Sequence, residues 1–118
     1  MVQKLTKIFT FCSAHHLPGH IKCGNNHGHE WKLEVTLEGE VKNHMVIDFH
    51  EFNKIVNDKV LSKLDHRDLN DIFEYPSCEE IAKWVWDELL NSLGLSIWLY
   101  RIILWENQTS YTTYEGKN

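Results

Sequence analysis

The chain has 118 residues, of which 42% are hydrophobic and 25% charged, and it carries a net charge of −5. That length suits one domain over residues 1–118, and the composition excludes a disordered or fibrous chain. Excess acid argues against nonspecific nucleic-acid binding, and neither a bilayer-spanning apolar run nor a signal-peptide stretch in Met1 to Thr10 is present. The expectation is a cytoplasmic protein with no nucleic-acid or membrane partner.

Lys4 to His16 reads as a strand with Leu5, Phe9, Phe11 and His15 at odd positions. Leu17 to Asn26, with Pro18, Gly19, Gly24, Asn25 and Asn26, reads as a loop. From His27 to Val41 the alternation is cleaner: His27, His29, Trp31, Leu33, Val35 and Leu37 share one face, and Glu30, Lys32, Glu34, Thr36 and Glu38 the other. Asp48 can cap a helix carrying Phe49, Phe52, Ile55, Val56, Val60 and Leu64 at spacings of three and four. A second helix begins at Ser77, with Glu80 completing a capping box, and Gly94 stops it. Ser96 to Glu106 is apolar on both faces (Ile97, Leu99, Ile103 against Trp98, Ile102, Leu104), which predicts a strand covered on both sides, by helices and by another subunit. Thr109 to Glu115 reads as a final strand after a hairpin at Asn107 and Gln108. The predicted fold is α+β, a four-stranded antiparallel sheet with two helices on one face in the order ββααββ.

Eight histidines are many for this length, and His15, His16, His27 and His29 fall within fifteen positions. On a strand, residues i and i+2 project from one face about 6.6 Å apart, a gap that one ion bridges with bonds of about 2.1 Å and some ring tilt. His27 and His29 meet that condition, and the eleven residues after His15 let its strand fold back beside theirs. Three histidines with an open fourth position are the pattern of catalytic zinc. The competing reading is of ordinary hydrogen-bonded histidines, but neutral imidazoles on an apolar stripe need partners. His16 and His20 read as solvated loop residues.

Cys23 lies four residues before His27 in a Gly- and Asn-rich loop, where a dication and Lys22 would favour its thiolate. Cys12 and Cys78 read as inert small apolar residues, and three cysteines without an export signal do not suggest a disulfide framework. Asp65 and His66 follow the first predicted helix; an acid beside an imidazole can orient a proton relay or form a solvated turn. Glu106 ends the apolar strand, where its carboxylate could accept from both donors of a guanidine-like edge or simply mark an exit into solvent.

Taken together, FCSAHHL (Phe11 to Leu17), KCGNNHGH (Lys22 to His29), VIDF (Val46 to Phe49), LDHRDLND (Leu64 to Asp71), PSCEEIAKWVW (Pro76 to Trp86) and WEN (Trp105 to Asn107) resemble the 6-pyruvoyl- and 6-carboxytetrahydropterin synthase family over nearly the whole chain. The resemblance implies the tunnelling fold (T-fold), assembled as a homohexamer of two trimers whose sheets join into a barrel with active sites between subunits. It implies His15, His27 and His29 as zinc ligands, Cys23 as proton acceptor, Asp65 with His66 as its relay, and Glu106 as the pterin-anchoring carboxylate, itself also part of the relay. The implied substrate is 7,8-dihydroneopterin triphosphate. The three-residue spacer between Cys23 and His27 resembles the bacterial branch, which releases acetaldehyde and triphosphate to give 6-carboxy-5,6,7,8-tetrahydropterin, a precursor of queuosine and other 7-deazaguanines. A third branch replaces the cysteine with Glu and cleaves dihydroneopterin; Cys23 argues against it. Pro76-Ser77-Cys78 departs from the family's Pro-Thr-Ser or Pro-Thr-Ala, and Asn107 to Tyr114 from its Thr-rich stretch. The alternatives are the same site stopping at 6-pyruvoyltetrahydropterin and a pterin- or metal-binding protein without turnover. Lys22, His20 and Arg67 are the candidates for holding the triphosphate.

Overall fold

Alternation over the first forty residues produces two long strands, β1 (Val2–His15) and β2 (His27–Glu40), in an antiparallel hairpin. The computed structural model describes residues 1–21 and 24–116. The register runs without a slip from Val2 opposite Glu40 to His15 opposite His27, and Phe11 faces Trp31 on the way. A one-residue slip would move every side chain of one strand to the other face. With Phe9, Phe11, Trp31, Leu33 and Val35 all buried on one side, burial holds the register, and with it the histidine face.

Three helices cover that side. Helix α1 (Phe49–Val56) is capped by Asp48, which accepts from the His50 N–H at 2.7 Å. It runs on through a π turn (Asn57–Leu61) into α2 (Ser62–Leu64), so the first predicted helix ends where expected but is widened in the middle. Helix α3 (Cys78–Leu90) starts at Ser77, whose Oγ accepts from the Glu80 N–H at 3.2 Å. The return half of the capping box is replaced, because the Ser77 N–H goes to the Tyr75 carbonyl at 2.8 Å. The helix stops at Leu90, before Gly94, with Asn91 as its C-cap. Phe52, Val56, Val60, Leu64, Ile81, Val85 and Leu89 pack from the helices onto the sheet, each contributing about 1.5–3 kcal/mol on burial.

The sheet corrects the predicted four antiparallel strands in the order ββααββ. It has five strands in the order β3-β1-β2-β4-β5, and it is mixed. The added strand, β3 (Arg67–Asp68), pairs in parallel with Ser13 and Ala14 of β1 and sits between the helices in sequence. Two residues have no periodicity to read, so only the docking of α2 against β1 creates it. Strands β4 (Ile97–Trp105) and β5 (Tyr111–Tyr114) complete the other side.

In β4 the parity of the buried side changes along the strand. Leu37 pairs with Leu99 but Thr36 with Arg101, leaving Tyr100 as an extra residue. That bulge reverses the parity, so Leu99, Ile102 and Leu104 are all buried on one side. Within the single chain the described residues cover that side, and Trp98 and Tyr111 on the other are more than half exposed, the face that the sequence reading gave to another subunit. No helix among the described residues is long and apolar enough to cross a membrane.

Candidate metal and active site

The histidine cluster closes one end of the core stripe. His15 and His27 are opposite one another in the β1–β2 register, and His29 is opposite Ser13. Ring centroids lie 4.7 Å apart for His15 and His27, 4.7 Å for His27 and His29, and 5.1 Å for His15 and His29. Trp31 forms the floor, edge-on to His15 at 5.0 Å and to His29 at 5.6 Å. Its own orientation is set by stacking on Phe11 and by donation from Nε1 to the Ser13 carbonyl at 3.2 Å.

Two of the rings have their tautomer chosen for them. His15 Nδ1 lies 2.8 Å from the Pro76 carbonyl, and His27 Nδ1 lies 2.8 Å from the Asn25 carbonyl. A carbonyl only accepts, so each Nδ1 carries the proton and each Nε2 is left with a lone pair. His15 is fully buried, and among the described residues its Nε2 and that of His29 have no hydrogen-bond partner despite being shielded from solvent. Leaving a buried polar atom unpaired costs about 1–3 kcal/mol. Burial also holds the His29 imidazole below its ordinary range, opposed by the nearby Glu106 carboxylate, which keeps it neutral and available as a donor at pH 7.

Glu106 joins this group. Its Oε1 is 3.4 Å from His29 Nε2 and 3.8 Å from His15 Nε2, and one donor atom from each of His15, His27, His29 and Glu106 lies within 4.8 Å of all the others. Three imidazole nitrogens and a carboxylate oxygen are a donor set that zinc takes. The orphaned nitrogens and the preset tautomers fit such an ion.

The remaining predicted residues lie elsewhere or outside the description. Cys23 and Lys22 lie outside the described residues. Asp65 and His66 sit at the free edge of β1: Asp65 Oδ1 accepts from the Cys12 N–H at 2.9 Å, and the His66 N–H donates to the Cys12 carbonyl at 2.7 Å. Ser13 Oγ donates to the Leu64 carbonyl just before them. These bonds hold His66 at φ 56°, and its ring, 80% exposed, stands 3.6 Å from Asp65 Oδ2. Among the described residues the pair has no hydrogen bond or ring contact with the three histidines. His16 is more ordered than a solvated loop residue: Asn70 accepts from its N–H at 2.9 Å and donates from Nδ2 to its carbonyl at 3.0 Å.

Comparison with known proteins places this geometry. The sequence profile of the family described as 6-pyruvoyl tetrahydropterin synthase matches residues 4–117. The chain belongs to that family. It is 44% identical over 94 residues, covering 79% of this chain and 80% of the relative, to an Archaeoglobus fulgidus protein provisionally named 6-carboxy-5,6,7,8-tetrahydropterin synthase. It is also 44% identical over 80 residues, 68% of this chain and 69% of the relative, to the dihydroneopterin monophosphate aldolase of Pyrococcus furiosus. The solved 6-pyruvoyl tetrahydropterin synthase of Caenorhabditis elegans superposes with a TM-score of 0.88 at 25% identity, covering 99% of this chain and 97% of the other.

For this pterin synthase family member, sequence reading singled out the three histidines and Glu106 but did not place the Glu106 carboxylate beside the three rings. It missed the carbonyls of Pro76 and Asn25, which no side-chain pattern marks. It also missed Trp31 as the floor, although the shared parity of His27, His29 and Trp31 carries that signal. Cys78, read as inert, donates from Sγ to the Leu104 carbonyl at 3.2 Å, and burial with the nearby Glu106 charge pushes its thiol up to about 12.

Proposed function

We propose that this protein is a zinc-dependent lyase that converts 7,8-dihydroneopterin triphosphate and water to 6-carboxy-5,6,7,8-tetrahydropterin, acetaldehyde and triphosphate. The observation that carries the reading is the convergence of two orphaned Nε2 atoms, His27 and the Glu106 carboxylate on one point. His15, His27 and His29 would hold the ion. A zinc ion bound there supplies a Lewis acid that acidifies the side-chain hydroxyls of the substrate. Glu106 accepts from the guanidine-like edge of the pterin, Trp31 and Phe11 keep the floor dry, and Cys23 takes the carbon-bound proton. Asp65 orients His66, which passes protons on.

The outward-facing His66 ring supports a site completed by another copy of the chain, as does the open edge of β1 beyond the Ser13 and Ala14 pairing with β3. We therefore propose a homohexamer of two trimers, working in the cytoplasm without nucleic-acid or membrane partners. Light scattering that finds only monomer would refute the assembly.

The function is tested by incubating purified zinc-loaded protein with 7,8-dihydroneopterin triphosphate and measuring acetaldehyde and triphosphate. Acetaldehyde in step with triphosphate supports the reading. Triphosphate alone identifies a 6-pyruvoyltetrahydropterin synthase. The 44% identity to the Pyrococcus aldolase favours a second reading, aldol-type cleavage of a dihydroneopterin monophosphate, which requires turnover of the monophosphate in the same assay. Should Cys23→Ala leave binding and biological activity unchanged, the protein is a pterin- or metal-binding protein without turnover.

A further inference from the structure

We propose that Glu106 is the fourth ligand of the ion in the substrate-free protein, closing the coordination position that catalysis requires open. The proposal rests on the zinc reading above and goes beyond it, because that reading gives Glu106 no bond to the ion.

The distances decide between two roles for the carboxylate. In a tetrahedral zinc site with bonds of about 2.0–2.1 Å, neighbouring donor atoms stand about 3.3–3.4 Å apart. A hydrogen bond between an imidazole nitrogen and a carboxylate oxygen is shorter, about 2.7–3.2 Å. Glu106 Oε1 stands 3.4 Å from His29 Nε2 and 3.8 Å from His15 Nε2, and neither nitrogen has a hydrogen-bond partner among the described residues. The oxygen therefore stands at ligand-to-ligand spacing from His29 and a few tenths of an ångström beyond it from His15.

Its backbone is held there by the hairpin. The Glu106 N–H donates to the Ser110 carbonyl at 3.0 Å, and Cys78 binds the Leu104 carbonyl two residues earlier. The side chain is 24% exposed, so an incoming molecule can reach it. An incoming hydroxyl or water oxygen can take the place of Glu106 on the ion, so ligand entry and opening of the site become one event.

The test is zinc affinity by chelator competition on the whole protein, together with a zinc-loaded crystal structure grown without substrate. Glu106→Gln, close in shape to the native side chain, is expected to weaken zinc binding by at least about tenfold, the loss seen when even a supporting outer residue is removed. In the crystal, a Glu106 oxygen is expected about 2.0–2.2 Å from the zinc. A water in the fourth position with the carboxylate withdrawn overturns the proposal whatever the affinities. Unchanged affinity in Glu106→Gln while His27→Ala loses zinc overturns it and leaves the three-histidine site standing. Unchanged affinity in His27→Ala removes the zinc reading and this proposal together.

Discussion

His15, the last residue of β1, donates from Nδ1 to the carbonyl of Pro76 across 2.8 Å, bridging 61 positions of sequence. The bond ties the end of the hairpin to the approach of α3 and leaves the Nε2 lone pair facing His27 and His29. An imidazole whose second nitrogen is occupied in this way is a better-oriented metal ligand.

Removing that ring should abolish the site. His15→Ala and His27→Ala are each expected to lower zinc affinity by more than about a hundredfold, beyond the range for outer-residue losses. Zinc at about 100 times its dissociation constant should stabilise the native protein by about 2.7 kcal/mol, a rise of roughly 10 °C in Tm. Thermal melts with zinc and with a chelator check this; an equal zinc response in His15→Ala would count against the assignment.

The metal-free protein should lose stability on mild acidification. Burial lowers the His29 pKa from 6.5, so below that value the unfolded chain gains a proton that the folded chain resists. Stability is thus present above pH 6.5 and is lost as pH falls from there through the lowered folded value. Urea midpoints of the metal-free protein at pH 7.5 and 5.5 should fall further for the wild type than for His29→Gln. Parallel losses would show that His29 contributes nothing.

Cys78 and Cys12 should differ sharply in reactivity. Cys12 is exposed, whereas Cys78 is half-buried with its thiol pushed up to about 12. The thiolate is the reactive form, so at pH 8 iodoacetamide should label the exposed Cys12 well before Cys78, whose half-buried thiol stays protonated. Peptide mass spectrometry reads the order of labelling. Comparable rates in the folded protein would contradict the burial described here.

Asn70 holds His16 by its N–H and its carbonyl, and Nδ2 also lies 3.3 Å from His16 Nε2. Asn70→Ala leaves those backbone groups to find water and should cost about 1–3 kcal/mol. Because His16 follows His15 directly, zinc affinity should fall as well. A variant with unchanged urea midpoint and unchanged zinc affinity would mean that the clamp holds nothing of consequence.

Local pattern alone determined the long hairpin, both helix starts and the shared face of His27, His29 and Trp31. Strand parity and N-capping act over two to four residues, so they can be read without coordinates. Asp48 and Ser77 cap where their side chains suggest, and the histidines fall on the buried stripe because alternation at that end of the hairpin is unbroken.

Only tertiary structure decided the rest. The Tyr100 bulge shifted which residues of β4 face the core, and docking of α2 on Ser13 made a strand of Arg67 and Asp68. Packing of α3 brought the Pro76 carbonyl to His15, while β4 carried Glu106 into the cluster and β1 held His66 at its outer edge. Each outcome joins residues many positions apart through a backbone group or a single extra residue, which hydrophobic periodicity does not encode. The grouping of the candidate donors His27 and His29 was therefore local information, whereas the tautomers of His15 and His27 and the nearness of Glu106 came from the fold.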